Sequence, residues 1–570
     1  MGTTTRIVSN SGKEYKIAKR AVAKIDPQNC VNCAVCREIC PVEAISEQQR
    51  VICRLCPSCT SQPALTFDEM VSLATEKACT TECPLGISPQ GYINLTRVGK
   101  ETEAYKLIWD KCPLPSVCGR ICQHPCEQAC KRGILVDEPI AIRGIKRYLT
   151  DNIDYVPAKY PRIFEESIAI IGAGPAGLTA AHYLSLKGYK VTVFDEEAQA
   201  GGMLIRGIPT FRLPREVVAK DIKRLEDAGM KLKLGHKIGK AELKDIQKEY
   251  DVVIIATGAP HSKELKIEGY RKEGIMTALG FMERINNGQD IYRHPGQEFK
   301  IAGDIEAVVI GGGDVALDCA RTAIRSGANK VTVICLESGE NVPSHTWEHT
   351  EAIEEGINFI EGVSPVRFTG PHNELTGVEV AKVTSFNKDA NGAIHFETDK
   401  NDTTVIPADW VIWAIGQAPD QMWKTLDDTK NIYYAGDLVN TACSVVDAMA
   451  SGKKTADKVI STLAKVEVKD TLELRKLNQA PDMQKIYPAT RLKIKRPDMQ
   501  MVDPQERITN FDEVETEYTQ EVIDTEVLRC LQCGYQKVDT DKCIGCGVCQ
   551  TVCPKGDVIT MVSIQDGGEE

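Results

Sequence analysis

Thiols are the groups whose spacing most constrains chemistry in this chain. The run Cys30-x2-Cys33-x2-Cys36-x3-Cys40-Pro41 puts three thiolates on one tight loop, where they can take three corners of a cubane iron–sulfur cluster. The fourth, stiffened by its proline, reaches a neighbouring cluster. Cys543-x2-Cys546-x2-Cys549-x3-Cys553-Pro554 repeats the pattern near the other end, with Gly545 and Gly547 easing the loop. Structural zinc is the competing use of clustered cysteines. It favours two separated pairs divided by a long gap over a triplet followed by Cys-Pro.

The other thiols raise a question of ligand supply. Of 23 cysteines, fourteen lie in the first 130 residues, six in the last 41 and three between. Cys53, Cys56 and Cys59 form a second triplet, which Cys40 completes if the crossing rule acts between neighbouring runs. The triplet Cys30, Cys33 and Cys36 then wants a cysteine near position 63, where Gln62 and Pro63 stand. Its fourth ligand therefore comes from farther away, or that cluster is incomplete. A middle group holds Cys79, Cys83, Cys112, Cys118, Cys122, Cys126 and Cys130. Fourteen thiols allow three four-thiolate clusters, and the last six, which include Cys530 and Cys533, allow one with two left over. The expectation is about three to four [4Fe-4S] clusters. Cys118, Cys122, Cys126 and Cys130 recur every fourth residue, but Gly119 and Pro125 argue against one continuous helix, so this segment is expected to wrap around a cluster.

Glycine marks a second chemistry in the cysteine-poor middle. Gly172-x-Gly174-x-x-Gly177 follows the apolar run Ile168–Ile171, opens a helix to Lys187, and has Asp195 after the next strand, Lys190–Phe194. That is the full context of a dinucleotide fingerprint: glycines permit a tight turn and close pyrophosphate approach, a helix N-terminus meets phosphate, and the acid accepts from a ribose hydroxyl. Gly311-x-Gly313-x-x-Ala316, with Asp314 and Val315 opening its helix, repeats the layout, and Glu337 follows the second strand. His345-Thr-Trp-Glu-His349 matches a zinc-protease pattern, but it falls just after a nucleotide-unit strand, and the reading here is surface or packing histidines. Cys319, Cys335 and Cys443 read as buried structural thiols. No catalytic side chain is assigned.

The elements that must position these groups follow from length and patterning. A chain of 570 residues supports several domains and needs no disulfides to fold. Residues 1–62 read as an arm and ferredoxin-like iron–sulfur domain, and 63–160 as a helical iron–sulfur domain. The two glycine units make an α/β protein with two Rossmann-like dinucleotide domains the expectation; the family resemblance given below implies that they nest in disulfide-reductase style, a flavin-type domain at 161–295 and 414–463 enclosing a nicotinamide-type domain at 296–413. A charged connector is expected at 464–525, and a second ferredoxin-like domain at 526–570. The net charge of −11 argues against nucleic acid or an anionic membrane as main partner. No apolar stretch approaches a membrane span, and no secretion signal is read, so a reducing, cytoplasmic setting is expected.

Several further phrases carry a family resemblance. Gly201-Gly202-Met-Leu-Ile-Arg-Gly-Ile-Pro209, Phe211-Arg-Leu-Pro214, Ala256-Thr257-Gly258, Ala414-Ile-Gly-Gln417 and Ala435-Gly436-Asp437 occur in order. The chain resembles the glutamate synthase small-subunit family, which includes the large subunit of NADH-dependent ferredoxin:NADP oxidoreductase and the N-terminal half of dihydropyrimidine dehydrogenase. Glu526-Val-Leu-Arg-Cys530-Leu-Gln-Cys533-Gly is a phrase such chains often carry. The resemblance implies FAD in the first unit, near Gly202, Thr257, Gly258, Gly436 and Asp437, and a nicotinamide nucleotide in the second. Members using NADPH usually have a Tyr-Arg-Arg phrase where this chain has Cys335-Leu336-Glu337. A carboxylate repels a 2′-phosphate, so NAD(H) is favoured over NADP(H). Where the family's cluster often has a Glu or Gln ligand, this chain has Lys146, so one cluster is rewired, to Cys118 or Cys112, or lost. Two cysteines expected ahead of Cys79 are absent, and Cys53, Cys56 or Cys59 are the expected substitutes.

The function implied is that of an FAD-dependent NAD(P)H oxidoreductase subunit exchanging electrons through clusters with ferredoxin or a partner of transhydrogenase, hydrogenase or formate dehydrogenase type. Its alternatives are a glutamate synthase-like small subunit and a non-catalytic electron-wiring subunit.

Overall fold

The β-branched runs around the two glycine motifs become the centres of two parallel sheets. In the computed structural model the described residues are all except 1–3, 9–13, 19–20, 54–62, 76–77, 290–304, 390–393, 425–430, 440–443, 466–478, 489–493, 545 and 564–570. They divide into two units. One comprises residues 160–443 and 500–516, and the other residues 1–159, 444–499 and 517–570.

In the first unit, Ser167–Ile171 is the middle strand of a sheet ordered 432–434, 252–255, 167–171, 190–194, 231–233, all parallel. Glu306–Ile310 is the middle strand of a second parallel sheet ordered 275–277, 410–413, 306–310, 330–334, 358–360. The second sheet lies, in chain order, between strands Val252–Ile255 and Ile432–Tyr434 of the first, so the nested arrangement is observed. Strands buried on both faces need apolar residues at every position. Ile168, Ala169, Ile170, Val308 and Val309 are all fully buried. A three-stranded antiparallel sheet (363–369, 377–388, 394–407) completes this unit.

A buried ionic cluster ties the Phe211–Pro214 phrase to the second sheet's helix Asp314–Arg325. Arg212 donates to Asp318 Oδ1 at 2.7 Å and to Glu348 Oε1 at 2.5 Å. Phe211 lies under the guanidinium of Arg325, 3.9 Å from its ring centroid. Glu355 receives Arg321 (2.7 Å), Arg325 (2.6 Å) and Arg507 (2.8 Å). Burial works to raise its pKa, yet the hydrogen bonds from Arg325 and Arg321 hold the Glu355 carboxyl down at about 2.

The second unit joins the two ends of the chain. Strand Ala21–Ile25 pairs antiparallel with Ile559–Ser563, and strand Ile45–Cys53 pairs antiparallel with Gly534–Val538. Short helices follow, among them Cys79–Glu82, Pro89–Arg97, Pro115–Ile121, Pro125–Gln128 and Ile142–Asn152. Ser88 caps Pro89–Arg97 as its position before proline predicts, accepting from Gly91 N at 3.2 Å. The segment expected as a connector carries regular structure. Gln479–Pro488 runs parallel to Ile45–Cys53 at a sheet edge, and Gln520–Leu528 is a helix capped by Thr519. Its prolines and register break between Asp482 and Ile486 hide the strand from period-two reading, and only an edge tolerates them. Helix Val445–Ala464 groups with this iron–sulfur unit, and residues 500–516 with the other.

Candidate cofactor sites

The two glycine motifs build matching cradles. Gly172 (φ +108) turns so tightly that a Cβ would lie 2.4 Å from the Ala256 carbonyl oxygen, and a Cβ on Gly177 would lie 1.9 Å from that of Gly172. In the second motif, a Cβ on Gly311 (φ +136) would lie 2.3 Å from the Ala414 oxygen. The second glycine of each motif differs. A Cβ on Gly174 or Gly313 would meet nothing within 4 Å, so both face the open space at a helix N-terminus that a pyrophosphate needs. Gly436 approaches the first helix so closely that a Cβ would lie 2.8 Å from Ala176 Cβ, and Asp437 is the next residue along. A Cβ on Gly202 would lie 3.1 Å from Gly174 Cα.

Polar groups around the cradles are partly committed to the protein. Asp195 accepts from Ala173 N at 2.6 Å and from Glu197 N at 2.9 Å, so it braces the glycine loop and keeps lone pairs for a ribose. The Thr257 hydroxyl, beside Gly258, is buried with no protein partner, the kind of orphan a bound flavin nucleotide would satisfy. In the second unit Val315 is 55 % exposed in the helix's first turn. Asp314 accepts from His345 Nδ1 at 2.7 Å, His349 stacks on Phe359 at 4.1 Å, and Glu348 pairs with Arg212. The protease-like pattern is therefore dispersed into structural contacts. Glu337 follows strand Lys330–Ile334 half-buried, and its carbonyl accepts from Gly362 N at 3.0 Å. Cys319 and Cys335 are buried, as expected; Cys443 lies outside the described residues.

The thiols gather differently from the expectation. Cys30, Cys33 and Cys36 line one chamber with Cys553. Cys543, Cys546 and Cys549 line another with Cys40. Cys40 therefore does not complete the Cys53 triplet. Each terminal run sets its last thiol beside the triplet of the other, and the distant thiol placed beside the first triplet is Cys553. The paired strands explain why, because they set the two halves face to face as one two-cluster ferredoxin whose halves lie some 500 residues apart in sequence. The loops match in backbone too: Ala34 has φ 66 where the second run has Gly547 with φ 74. Cys53 ends strand Ile45–Cys53, and Cys56 and Cys59 lie outside the described residues.

A third chamber is lined by Cys79, Cys130, Cys530 and Cys533. The C-terminal phrase thus sets Cys530 and Cys533 beside Cys79 and Cys130, where two thiols were missing ahead of Cys79; of the expected substitutes, Cys56 and Cys59 lie outside the described residues. Gln90 secures this phrase, donating to Gly534 O at 2.7 Å and accepting from Gly534 N at 3.1 Å. Backbone N–H groups reach sulfur in each chamber. Gln536 N lies 3.4 Å from Cys30 Sγ, Ala44 N 3.3 Å from Cys40 Sγ and Ile140 N 3.5 Å from Cys130 Sγ. Sequence inspection missed Gln90 and Gln536; no spacing rule marks a residue that acts through its backbone or pairs with a strand.

Helices Cys79–Glu82 and Pro125–Gln128 each give thiols at both ends. Cys79 and Cys130 face the third chamber, while Cys83 and Cys126 interact with Cys122 and Lys146 around a fourth position. Burial raises all the thiols of these two positions, and pushes Cys533 up to about 12, so metal binding there must displace protons. Among the described residues no three of His, Cys, Asp or Glu close on a point tightly enough for a single metal ion. Four thiols converging on one chamber suit a larger group such as a cubane, which takes one thiolate at each iron corner.

Family comparison agrees with this geometry. Residues 166–452 match the family model "pyridine nucleotide-disulphide oxidoreductase". Residues 71–156 match "dihydropyrimidine dehydrogenase domain II, 4Fe-4S cluster" and residues 23–46 and 537–557 match "4Fe-4S binding domain". The glutamate synthase [NADPH] small chain of Escherichia coli K12 is 32% identical over 424 residues, covering 68% of this chain and 88% of its own. The chain belongs to the glutamate synthase small-chain family. This chain, with its oxidoreductase core and a 4Fe-4S match on either side of it, is also similar to two longer proteins. The NADP(+)-dependent formate dehydrogenase subunit beta of Moorella thermoacetica is 32% identical over 443 residues, covering 69% of this chain and 61% of its own. The NADPH-Fe(3+) oxidoreductase subunit beta of Geobacter sulfurreducens is 34% identical over 400 residues, covering 69% and 58%. The chain thus spans about three fifths of the length of these two relatives. Among the described residues no helix is long and apolar enough to cross a membrane.

Proposed function

We propose that this chain is an electron-transferring subunit that exchanges electrons between NAD(H), FAD and a line of iron–sulfur clusters, and passes them to ferredoxin or a partner redox enzyme of transhydrogenase, hydrogenase or formate dehydrogenase type. The observation that carries this reading is the continuity of the thiol chambers. Cys533 of the third chamber stands three residues along one strand from Gln536, whose N–H meets Cys30 of the first. At about 3.3 Å per residue the two chambers are roughly 10 Å apart along that strand. A chain of such chambers suits the passage of single electrons.

FAD, when bound, takes two electrons together from a nicotinamide and releases them singly, which is the conversion that one-electron clusters require. The residues proposed to hold it are Gly172, Gly174, Gly177, Asp195, Gly202, Thr257, Gly258, Gly436 and Asp437. Those proposed for the nicotinamide nucleotide are Gly311, Gly313, Asp314, Val315 and Glu337. Glu337 supports NAD(H), because its carboxylate can accept from ribose hydroxyls and opposes a 2′-phosphate; in this the chain would differ from relatives named for NADPH or NADP. The clusters are proposed on Cys30, Cys33, Cys36 and Cys553; on Cys40, Cys543, Cys546 and Cys549; on Cys79, Cys130, Cys530 and Cys533; and on Cys83, Cys122 and Cys126 with one further ligand. A reducing compartment, the cytoplasm, keeps such thiols available.

The test is anaerobic addition of NADH or NADPH to the purified full chain while flavin absorbance is followed. Bleaching by NADH and not by NADPH is expected; the reverse overturns the nucleotide assignment. Iron and sulfide near 16 each per chain fit four clusters, and a value near 8 overturns the electron line.

A further inference from the structure

The fourth thiol position contains a residue that does not fit a carboxylate-ligated cluster. Lys146, on helix Ile142–Asn152, is only 6 % exposed. The titratable groups that interact most with it are Tyr92, Cys122, Cys118 and Cys112, and it in turn acts on Cys83 and Cys126. A buried ammonium is costly unless an anionic group faces it. Neutral thiols and a neutral phenol do not supply that anion. A cubane held by four thiolates carries a net negative charge and does.

The geometry points to Cys118 as the fourth ligand of the cluster on Cys83, Cys122 and Cys126, with Lys146 as a positioning residue that raises that cluster's reduction potential. Cys118 and Cys122 stand at i and i+4 at the end of helix Pro115–Ile121, and so project from one face. Cys118 is 1 % exposed and lies beside Cys122, which it acts on. Its helix crosses that of Lys146 at close range: a Cβ on Gly119 would lie 2.9 Å from Arg147 Cα. That contact brings Cys118 and Lys146 to the same chamber. Cys112 is equally buried, but it follows helix Glu101–Trp109 and does not stand one helical turn from Cys122 as Cys118 does. On ligation the Cys118 thiol loses its proton to solvent and its sulfur takes the fourth iron, with no change in oxidation state.

The inference rests on the cluster reading above, and the test separates the two. Wild-type full chain, Cys118→Ala, Cys118→Ser, Cys112→Ala and Lys146→Gln are purified anaerobically and compared by iron content, electron paramagnetic resonance and redox titration, with flavin absorbance as the check on folding. Wild type should hold about 16 iron atoms and Cys118→Ala about 12–15, with a three-iron signal where the fourth corner is lost. Cys118→Ser should retain iron with an altered signal, and Cys112→Ala should match wild type. Lys146→Gln should keep its iron while one midpoint potential becomes more negative. Wild-type iron and spectra in Cys118→Ala, or loss of iron in Cys112→Ala, overturn the ligand assignment. An unshifted potential in Lys146→Gln overturns the role of the lysine. A wild-type chain with about 12 iron atoms overturns the fourth cluster but leaves the other three, and the electron line, standing.

Discussion

In the flavin–nicotinamide unit each cradle is shaped by six consecutive residues, Gly172–Gly177 in one sheet and Gly311–Ala316 in the other. In the iron–sulfur unit each four-thiol chamber draws on two distant stretches of chain, Cys30 with Cys553 and Cys79 with Cys530. The difference follows from what is bound. A pyrophosphate is met from one side, by backbone N–H groups at one helix end, so a local turn is enough. A cube needs ligands converging from four corners, and one tight loop reaches only three of them. The fourth must arrive from another element, and which element is a matter of tertiary pairing.

The largest effects are expected where that pairing is cut. Cys553→Ala should strip the cluster of the N-terminal triplet, and Cys40→Ala that of the C-terminal triplet, each lowering iron by about 4 per chain or leaving a three-iron signal. Paramagnetic resonance of the two variants should identify different clusters. If Cys40→Ala instead left the C-terminal signal intact, the exchange between chain ends would be wrong.

The glycine cradles give the local counterpart. Gly174→Ala places a methyl in open space where no protein atom lies within 4 Å, so the fold should stand while flavin retention falls roughly 10- to 100-fold, or about 1.4–2.8 kcal/mol. Gly177→Ala drives a methyl to within 1.9 Å of a carbonyl oxygen and should prevent the unit from folding. Flavin content of soluble protein separates them, and equal behaviour of the two would contradict the open cradle.

What the sequence made legible follows the same division. Both parallel sheets, their glycine turns and the cap at Ser88 were readable, because each is encoded within a few residues of itself. The crossing thiol rule was also readable, but it was applied to neighbours in sequence, and so it sent Cys40 to Cys53 rather than to Cys543. Only the pairing of strand Ile45–Cys53 with Gly534–Val538 shows the proper partner, and nothing in a strand's own residues names the strand it will meet. The Cys530–Cys533 phrase was recognised, yet its place beside Cys79 depends on Gln90 holding Gly534. The edge strand Gln479–Pro488 was hidden by its prolines.

Stability of the nucleotide unit should depend on a buried carboxylate more than on any surface charge. Glu355 is fully buried and faces Arg321, Arg325 and Arg507, and Glu355→Gln should cost about 3–5 kcal/mol by leaving guanidinium groups uncompensated. The pH dependence has a definite sign. Its folded value near 2 lies below the ordinary 4.5, so its contribution, about 3 kcal/mol, is present above pH 4.5 and is lost as pH falls toward 2. Chemical unfolding followed by flavin release should therefore show wild type and variant converging across that window. A constant gap would mean the carboxylate acts by shape alone.

The smallest effect tests how much of the iron–sulfur unit remains locally encoded. Ala34 and Gly547 occupy equivalent places in the two halves of the ferredoxin, and both are left-handed, at φ 66 and φ 74. A left-handed alanine costs about 1–2 kcal/mol, partly offset by the smaller conformational freedom it gives up on folding, about 0.4–1 kcal/mol. Ala34→Gly should thus stabilise its half by roughly 0.5–1 kcal/mol, and Gly547→Ala should destabilise the other by a similar amount. No atom lies within 4 Å of a Cβ on Gly547, so the second variant reports backbone strain without a clash. Mirror-image shifts in the unfolding midpoint would mean the thiol loops are set by their own residues, leaving only the fourth ligand to the pairing of the chain ends. Unequal shifts would mean that the pairing also shapes the loops.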